Sequence, residues 1–472
     1  MEAHPTSVGD SAAYERRNLS CDDVVIVSAC RTALCKAKRG GFKDTPVDDL
    51  IAAVLKDTIR RTGVEPEAVG DVCFGSVMGP SSQRANECRI AMFLAGFPNS
   101  VPVHTVNRQC SSGLQAIAEV AASIRAGYYT IGIAGGVESM TTTPRAFACS
   151  ARSAVGSYIS DYFGVHTWLI AQVESMTTNP MAWEGAINPR VAENQCAQDC
   201  LLPMGITSEN VAAQYGVSRE TQDKFAARSH ALAAAAQAAG RFKDEIVPVQ
   251  TVLKDPKTGE ERRVVIDADD GIRPGTTPAS LGQLRPVFKK GGSTTAGNSS
   301  QVTDGAAAVM LMTRQEAAKR GLPILGIFRS FAAVGVPPAV MGIGPAVAIP
   351  AAVEMAGLTL DDIDVYEINE AFASQATYSV DKLGIDLDKV NPNGGAIALG
   401  HPLGCTGARQ TATLLYEMQR RGKAARFGVV SMCIGSGMGA AAVFERGGEI
   451  DAAPRRPVGS QLTGLSRDAM VS

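Results

Sequence analysis

The chain has 472 residues, of which 45% are hydrophobic, and it carries a formal charge of −2 with a pI near 6.3. This length allows about two to four domains with large cores. The near-neutral charge gives no electrostatic basis for a nucleic-acid partner, and no apolar run is long enough to predict a membrane span. The eleven cysteines form no paired framework, which indicates free thiols in a reducing compartment and predicts no metal site.

The first part of the chain predicts strands that alternate with helices. Residues 1–22 are polar and aperiodic, and we expect them to be disordered. The predicted strands are residues 23–29, 69–77, 101–106 and 129–136, and the predicted helices are 47–61 and 114–127. Strand 101–106 is β-branched and is expected to be buried, and strand 129–136 is expected to end in a glycine turn. The alternation predicts a mainly parallel α/β sheet.

Cys110 lies where strand 101–106 passes into the next helix. Backbone N–H groups and the positive end of a helix dipole meet at such a junction, and both favour a thiolate over a thiol. Cys110 is therefore a candidate nucleophile. The alternative is a small core hydrophobe, which is the commoner role for a buried cysteine.

The C-terminal third of the chain repeats the order of the first part. Three pairs of segments correspond at a separation of about 290 residues: 64–72 with 358–365, 106–107 with 390–391, and 129–136 with 427–435. The repeat predicts two similar halves, residues 23–314 and 321–446, with a disordered tail at 447–472. Two such halves usually form a site where equivalent strand ends converge.

Residues 145–290 differ from both halves and are predicted to form a loop domain inserted in the first half. This region has an alanine-rich helix at 221–240 and a charged hairpin near 254–263. The sequence VESMTTTP at 137–144 recurs as VESMTTNP at 173–180, and the segment 143–178 between the copies is expected to be an atypical insertion without chemistry.

Three further stretches carry residues suited to chemistry. His401 lies in a glycine-rich turn, where an imidazole can take a proton near neutral pH. Cys433 ends a predicted strand, and the glycine run after it is no dinucleotide fingerprint because the strand-like residues 440–444 follow. Asn369 follows another strand and could place an amide in a cleft. Packing and turn formation remain the alternatives for each stretch taken alone.

Together these stretches resemble the thiolase family, and within it the peroxisomal 3-ketoacyl-CoA thiolases. The matching motifs are NRQCSSG at 107–113, NEAFA at 369–373, GHPLG at 400–404 and CIGSGMG at 433–439. The resemblance runs from about residue 24 to 446 and is interrupted near 143–178. It implies an α/β thiolase fold with two βαβαβαββ halves stacked as five layers (αβαβα), and a loop domain over the first half.

The resemblance also implies an enzyme, an acyltransferase that cleaves 3-ketoacyl-CoA with CoA in fatty acid β-oxidation. By resemblance, Cys110 is the nucleophile, His401 accepts its proton, and Cys433 is the second acid and base. Asn369 holds a water in one oxyanion site, and the backbone N–H groups of Cys110 and Gly435 form the other.

The same resemblance implies that CoA and acyl-CoA are the ligands and that no metal or redox cofactor is needed. Met204, Ser300, Ala371 and Phe372 align with positions that line the pantetheine tunnel. A homodimer is expected, without nucleic-acid or membrane partners. A peroxisomal location is implied, although no targeting nonapeptide or peroxisomal C-terminus is visible, so a cytosolic isoform stays open.

Two other functions remain open at this level. A biosynthetic acetoacetyl-CoA thiolase would use the same residues in the condensing direction. A catalytically impaired acyl-CoA-binding relative would result if the segment 143–178 spoils the site. A decarboxylating ketoacyl synthase shares the architecture, but Cys433 argues against it.

Overall fold

The structure, a computed structural model, describes residues 23–79, 83–141 and 188–447. The two predicted disordered ends, residues 1–22 and 447–472, lie outside the described residues except for Gly447. The atypical segment 143–178 lies wholly within the range 142–187, which is likewise outside the described residues. The predicted domain boundaries stay predictions.

Strands and helices alternate along the described chain, as the hydrophobic pattern predicts. The strands are β1 (Val24–Thr32), β2 (Cys35–Lys36), β3 (Asp71–Gly75), β4 (Val103–Val106), β5 (Ile131–Ser139), β6 (Ile246–Val247), β7 (Val249–Lys254), β8 (Glu261–Ile266), β9 (Thr303–Thr313), β10 (Gly326–Gly335), β11 (Val365–Ile368), β12 (Phe427–Ile434) and β13 (Met438–Arg446). The helices are α1 (Val47–Thr62), α2 (Arg84–Leu94), α3 (Ser112–Arg125), α4 (Gln195–Asp199), α5 (Met204–Tyr215), α6 (Arg219–Ala238), α7 (Pro278–Gly282), α8 (Arg314–Lys319), α9 (Gly344–Met355), α10 (Ala373–Leu383), α11 (Ala396–Leu399) and α12 (Thr406–Arg421).

Eleven of these strands form one mixed sheet in the order β11–β12–β13–β10–β1–β9–β5–β3–β4, with β2 beside β9 and β6 beside β1. The sheet has two leaves. The N-leaf contains β4, β3, β5, β9 and β1, and the C-leaf contains β10, β13, β12 and β11. The leaves join where β1 runs antiparallel to β10 over only two residue pairs, Val25 with Ile327 and Ile26 with Gly326.

Helices cover both faces of each leaf. The outer face of the N-leaf packs against α1 and α2, and the outer face of the C-leaf packs against α9 and α10. Helices α3 and α12 lie between the leaves, where apolar residues of both helices and both leaves form one core. The five-layered αβαβα arrangement is therefore confirmed.

The two leaves repeat one pairing scheme, which confirms the internal repeat. In the N-leaf, β3 runs parallel to β5, and β5 runs antiparallel to β9. In the C-leaf, β11 runs parallel to β12, and β12 runs antiparallel to β13. Helices α3 and α12 take equivalent places in the two halves. Cys110 lies just before α3 and His401 lies just before α12, so the two halves contribute one residue each.

Three details of the prediction are wrong. The sheet is mixed and not mainly parallel, because β9, β10 and β13 run antiparallel to the strands beside them. Strand β4 is the edge of the sheet and only partly buried, because no further strand of the described chain covers it. Strand β5 does not end at a glycine turn but continues to Ser139. Gly136 lies inside the strand. The position requires glycine because a Cβ there would be 2.0 Å from the carbonyl oxygen of Gly404.

The described part of the predicted loop domain has the expected elements. Helix α6 corresponds to the alanine-rich segment, and β7 and β8 form the charged hairpin with pairs from Val249–Ile266 to Lys254–Glu261. The segment lies against the rest of the fold through a buried ion pair, in which Nε of Arg31 on β1 is 2.6 Å from Oε1 of Glu245.

One helical stretch of the described residues, Pro338–Met355, has the length and apolar composition of a membrane span, which the sequence analysis did not predict. It consists of two pieces, because Val340 has a non-helical φ of −128° within the 3-10 turn that precedes α9. Helix α9 then packs Ala348, Ile349 and Ala352 into the C-leaf core. We assign the stretch to the core of the fold.

Candidate active site

Cys110 lies in the turn between β4 and α3, as predicted. Gln109 before it has a φ of 46°, a left-handed conformation that is uncommon for a residue with a side chain. Cys110 is 4% exposed and packs in a small apolar cluster with Ala37, Met140 and Leu403. The thiol therefore lies beside the chain segment that carries His401.

Cys433 lies near the end of β12 in the other half of the repeat. It is fully buried and packs with Met204, Met341, Ala371 and Phe372. Burial, followed by the charge of Cys110, raises the pKa of the Cys433 thiol far above its ordinary value. The two cysteines are 323 positions apart in the chain and come from the two halves of the repeat.

The loops that carry the two cysteines are in direct contact. Nε2 of Gln109 donates a hydrogen bond to Oγ of Ser436 at 2.9 Å. Gly435 lies so close to this contact that a Cβ on it would be 2.0 Å from Oε1 of Gln109. Ser436 also has a left-handed φ, 58°, so both loops hold an uncommon backbone conformation where they meet.

His401 is 5% exposed, and both of its ring nitrogens have hydrogen-bond partners. Nε2 lies 3.2 Å from Nδ2 of Asn369, and Nδ1 lies 2.6 Å from Oγ1 of Thr406. The amide nitrogen of Asn369 is a donor, so Nε2 is the acceptor and carries the lone pair. The proton is on Nδ1, which donates to Thr406, and the Thr406 hydroxyl donates in turn to the carbonyl oxygen of Pro402 at 3.0 Å.

The protein environment keeps the imidazole of His401 neutral. Burial, reinforced by the positive charge of Arg409, lowers the pKa of His401 to about 3. A neutral ring with a lone pair on Nε2 can accept a proton from a neighbouring thiol. The Oδ1 atom of Asn369 is buried and has no hydrogen-bond partner among the described residues, so it can accept one from a bound water or ligand.

The four residues predicted to line a ligand tunnel also lie at this site. Met204, Ala371 and Phe372 pack directly with Cys433, and Phe288 packs edge-on against Phe372. The backbone N–H of Ser300 donates to the carbonyl oxygen of Ala371 at 2.9 Å, so Ser300 belongs to the same wall. The structure thus brings together the residues that the sequence analysis assigned to catalysis and ligand binding.

This arrangement has the parts that acyl transfer through cysteine requires. A buried thiol lies at a helix start, a neutral imidazole has an unprotonated Nε2, and a second thiol is kept protonated by burial. The family comparison agrees with that chemistry. Family models of the N-terminal domain of thiolase match residues 24–162 and 164–315, and a model of the C-terminal domain of thiolase matches residues 322–446.

The chain belongs to the thiolase family. It is 61% identical over 451 residues to 3-ketoacyl-CoA thiolase 2, peroxisomal, from Arabidopsis thaliana, covering 96% of this chain and 90% of that protein. The crystal structure of the dimeric peroxisomal thiolase of Saccharomyces cerevisiae superposes with a TM-score of 0.76 at 44% identity, covering 91% of this chain and 98% of that one. Human mitochondrial 3-ketoacyl-CoA thiolase in complex with CoA has a TM-score of 0.74 at 34% identity, covering 90% and 98%.

Sequence reasoning did not find two residues that shape the site of this thiolase. Thr406 fixes the tautomer of His401, and Glu138 on β5 accepts hydrogen bonds from the backbone N–H groups of Val77, Met78 and Gly404 at 2.9–3.0 Å. Glu138 therefore connects the N-leaf to the loop that follows His401. A signal for Thr406 was its position five residues after His401, but no sequence spacing relates Glu138 to Gly404.

Proposed function

We propose that this thiolase cleaves a 3-ketoacyl-CoA with CoA, giving acetyl-CoA and a shortened acyl-CoA, as a step of fatty acid β-oxidation. The single observation that carries the proposal is the direct contact between the loops of Cys110 and Cys433, one from each half of the repeat, through the hydrogen bond from Gln109 to Ser436. Cys110 also packs against Leu403, two residues after His401. The names of its relatives, which are 3-ketoacyl-CoA thiolases at up to 61% identity, support the substrate class.

The first half of the reaction forms an acyl-cysteine. Nε2 of His401 takes the proton of Cys110, and the resulting thiolate attacks the 3-keto carbon. The bond between carbons 2 and 3 then breaks, and its electron pair becomes the enolate of acetyl-CoA. Cys433 gives its proton to carbon 2 of this enolate, so acetyl-CoA leaves and Cys433 is left as a thiolate.

The second half transfers the acyl group to CoA. The Cys433 thiolate takes the proton of the incoming CoA thiol, and the CoA thiolate attacks the acyl carbon on Cys110. The Cys110 thiolate leaves and recovers its proton from His401, which restores the enzyme. A thiol suits the role of Cys433 because its pKa lies closer to that of the CoA thiol than the pKa of a carboxyl group does.

Two oxyanion sites would stabilise the negative oxygens that form in these steps. Once Nε2 of His401 has gained a proton it becomes a donor, and it would act on the thioester oxygen together with a water held by Asn369. The backbone N–H groups of Cys110 and Gly435 would bind the oxygen of the acylated cysteine. Loss of one such donor typically raises the barrier by about 3–4 kcal/mol.

CoA is the co-substrate in this proposal, and Met204, Ser300, Ala371 and Phe372 would contact its pantetheine arm. Their apolar packing beside Cys433 supports this assignment, because the thiol of CoA has to reach that residue. The reaction as written needs no metal ion or redox cofactor.

The direct test is trapping of the acyl-enzyme. Incubation with a 3-ketoacyl-CoA without added CoA is expected to leave an acyl group on Cys110, located by peptide mass spectrometry. Cys433→Ala should still acylate but lose turnover, whereas Cys88→Ala, a buried thiol of α2 outside the site, should behave as the parent protein. A folded, CoA-binding sample without an adduct would instead support the catalytically impaired, acyl-CoA-binding alternative.

The biosynthetic alternative is distinguished by chain length. Thiolysis rates with short, medium and long 3-ketoacyl-CoAs should extend well beyond acetoacetyl-CoA if the protein serves β-oxidation. The same assay on a variant that lacks residues 143–178 measures whether that segment lowers activity. Activity restricted to acetoacetyl-CoA would favour the condensing enzyme.

We also propose that the protein is a peroxisomal homodimer. The Saccharomyces cerevisiae thiolase it resembles is dimeric, and the relatives at 54–61% identity carry peroxisomal names. The partly exposed edge strand β4 supports the assembly, because an unpaired edge can pair with a second copy. Imaging of a fluorescent fusion against a peroxisomal marker tests the location.

A further inference from the structure

A second cluster of reactive side chains lies on the N-leaf and has no part in the thiolytic reaction. Asp71 and Cys73 point to the same face of β3, because side chains alternate along a strand. His104 on β4 is the register partner of Cys73, and α3 covers this face and adds Glu119. Two carboxylates, a thiol and an imidazole are thereby brought together from three elements.

The distances among these atoms match a cation site. Sγ of Cys73, one ring nitrogen of His104 and one carboxylate oxygen of Glu119 lie within 4.8 Å of one another. Oε2 of Glu119 is 3.8 Å from Nε2 of His104 and 3.9 Å from Sγ of Cys73. Nδ1 of His104 lies 3.2 Å from Oδ2 of Asp71.

We propose that Cys73 Sγ, His104 Nε2 and the Glu119 carboxylate bind a divalent transition-metal ion of the Zn²⁺ type. Thiolate sulfur, imidazole nitrogen and carboxylate oxygen are the three kinds of protein donor that bind Zn²⁺. Asp71 completes the site from outside, because a carboxylate that accepts the Nδ1 proton of a histidine fixes the ring with Nε2 turned toward the metal. Binding displaces the Cys73 thiol proton to solvent, and the fourth position is left for water.

The cluster can close around an ion with small movements. Zinc bonds of about 2.0–2.3 Å bring tetrahedral ligand atoms to about 3.3–3.8 Å from each other, against the present separations of up to 4.8 Å. In a single protomer the side chains of His104 and Glu119 are 45% and 40% exposed, so they have room to move, whereas Cys73 is fixed in the buried strand. The ion would therefore tie the edge strand β4 to α3, the two elements on either side of Cys110.

Cobalt titration of the chelator-treated full chain tests the site. We expect one equivalent of Co²⁺ to give a thiolate-to-cobalt charge-transfer absorption that Zn²⁺ abolishes. Cys73→Ser should lose this absorption, and His104→Ala, a change at a half-exposed position that leaves the core intact, should lose tight binding. Asp71→Asn should weaken affinity about 10–100-fold, as changes in such outer carboxylates do.

Two matched variants separate this site from other thiols. Cys196→Ser removes an exposed thiol, and Cys110→Ser removes the proposed nucleophile; both should keep the absorption. An absorption that survives in Cys73→Ser, or disappears in Cys110→Ser, would overturn the assignment. An unchanged cobalt affinity in His104→Ala would also overturn the assignment. The cluster would then be an ion-pair group in which a protonated His104 pairs with Asp71 and Glu119. The readout is binding, so it is independent of thiolytic turnover.

Discussion

The protonation state of His401 is decided by its two hydrogen-bond partners and its burial. The side-chain amide of Asn369 donates a hydrogen bond to Nε2, and the hydroxyl oxygen of Thr406 accepts a hydrogen bond from Nδ1–H. Burial and the charge of Arg409 lower the pKa of the ring to about 3, which removes the cationic form at neutral pH. The ring is therefore held neutral with Nε2 unprotonated, and a proton gained there during the reaction becomes the donor that the enolate oxygen requires.

Replacement of Thr406 by valine should impair catalysis without unfolding the protein. The change keeps the shape of the side chain but removes the acceptor for Nδ1–H, so the tautomer with Nε2 free is no longer favoured. A lost hydrogen bond of about 1–1.5 kcal/mol corresponds to roughly a tenfold fall in kcat. Thr411→Val is the matched control, since Thr411 is equally buried in α12 and donates to the carbonyl of Gly407. Equal rates for the two variants would contradict this role.

The acylation step should show no titration at the ordinary histidine pKa. Because the pKa of His401 is lowered to about 3, the ring stays neutral as pH falls from 8 to about 5, and kcat/KM for the 3-ketoacyl-CoA should not fall through that range on its account. Stopped-flow acylation across this range provides the measurement. An inflection near pH 6.5 that Thr406→Val displaces would show that His401 titrates as an exposed residue does.

Strand β5 holds the loop that follows His401 through a glycine-to-glycine contact and one buried carboxylate. Strand β5 passes Gly136 beneath the carbonyl of Gly404, and Glu138, two residues later, accepts the N–H of the same Gly404. Backbone contact at this distance leaves no space for a side chain. The position of the loop after His401 therefore depends on β5, an element of the opposite half of the repeat.

Gly136→Ala should displace this loop. Its Cβ would lie 2.0 Å from the Gly404 oxygen, so the strand or the loop has to move, at a cost of about 1–3 kcal/mol of folding free energy. We expect a lower melting temperature and a reduced kcat. Gly335→Ala at the end of β10 is the control, because nothing lies within 4 Å of a Cβ there. Wild-type kcat in a Gly136→Ala protein would refute the coupling.

At the scale of the whole molecule, the two leaves differ in how their edges are covered. Strand β11 is fully buried, whereas β4 is only partly buried and lies beside α2, which exposes Ile90, Phe93 and Leu94. The carbonyl oxygens of Pro102 and Val106 accept hydrogen bonds from the backbone N–H groups of Val72 and Ser76. Because backbone direction alternates along a strand, the N–H and C=O groups of Val103 and Thr105 face away from the sheet. This edge has the polar backbone and the apolar neighbours that pairing with a second copy requires.

Thr105→Pro should therefore weaken the proposed dimer. Proline removes an N–H that faces outward and leaves the bonds to β3 in place, so the protomer fold should persist. Sedimentation equilibrium should show a shift toward monomer. Thr105→Val is the control, because valine keeps the backbone N–H at the same position. A proline at Thr313 on β9 would not serve, because the backbone N–H of Thr313 donates a hydrogen bond to Thr130. A Thr105→Pro protein that remains fully dimeric would place the interface elsewhere.

The sequence by itself determined the alternation of strands and helices, the repeat of two halves and the chemical candidates. These features are encoded locally: periodic apolar residues define elements, and Cys110 lies at a strand-to-helix junction whatever surrounds it. The four motifs then related Cys110, Asn369, His401 and Cys433 to one family.

Only the tertiary structure decided which strand is an edge, where glycines allow backbones to touch, and which nitrogen of His401 carries the proton. Each of these depends on groups far apart in the chain, such as Gly136 with Gly404 or Cys110 with Cys433. The cluster of Cys73, His104 and Glu119 is of the same kind, because strand pairing and helix packing bring its members together. Local periodicity contains no information about such contacts, since they arise when separate elements pack around a shared core.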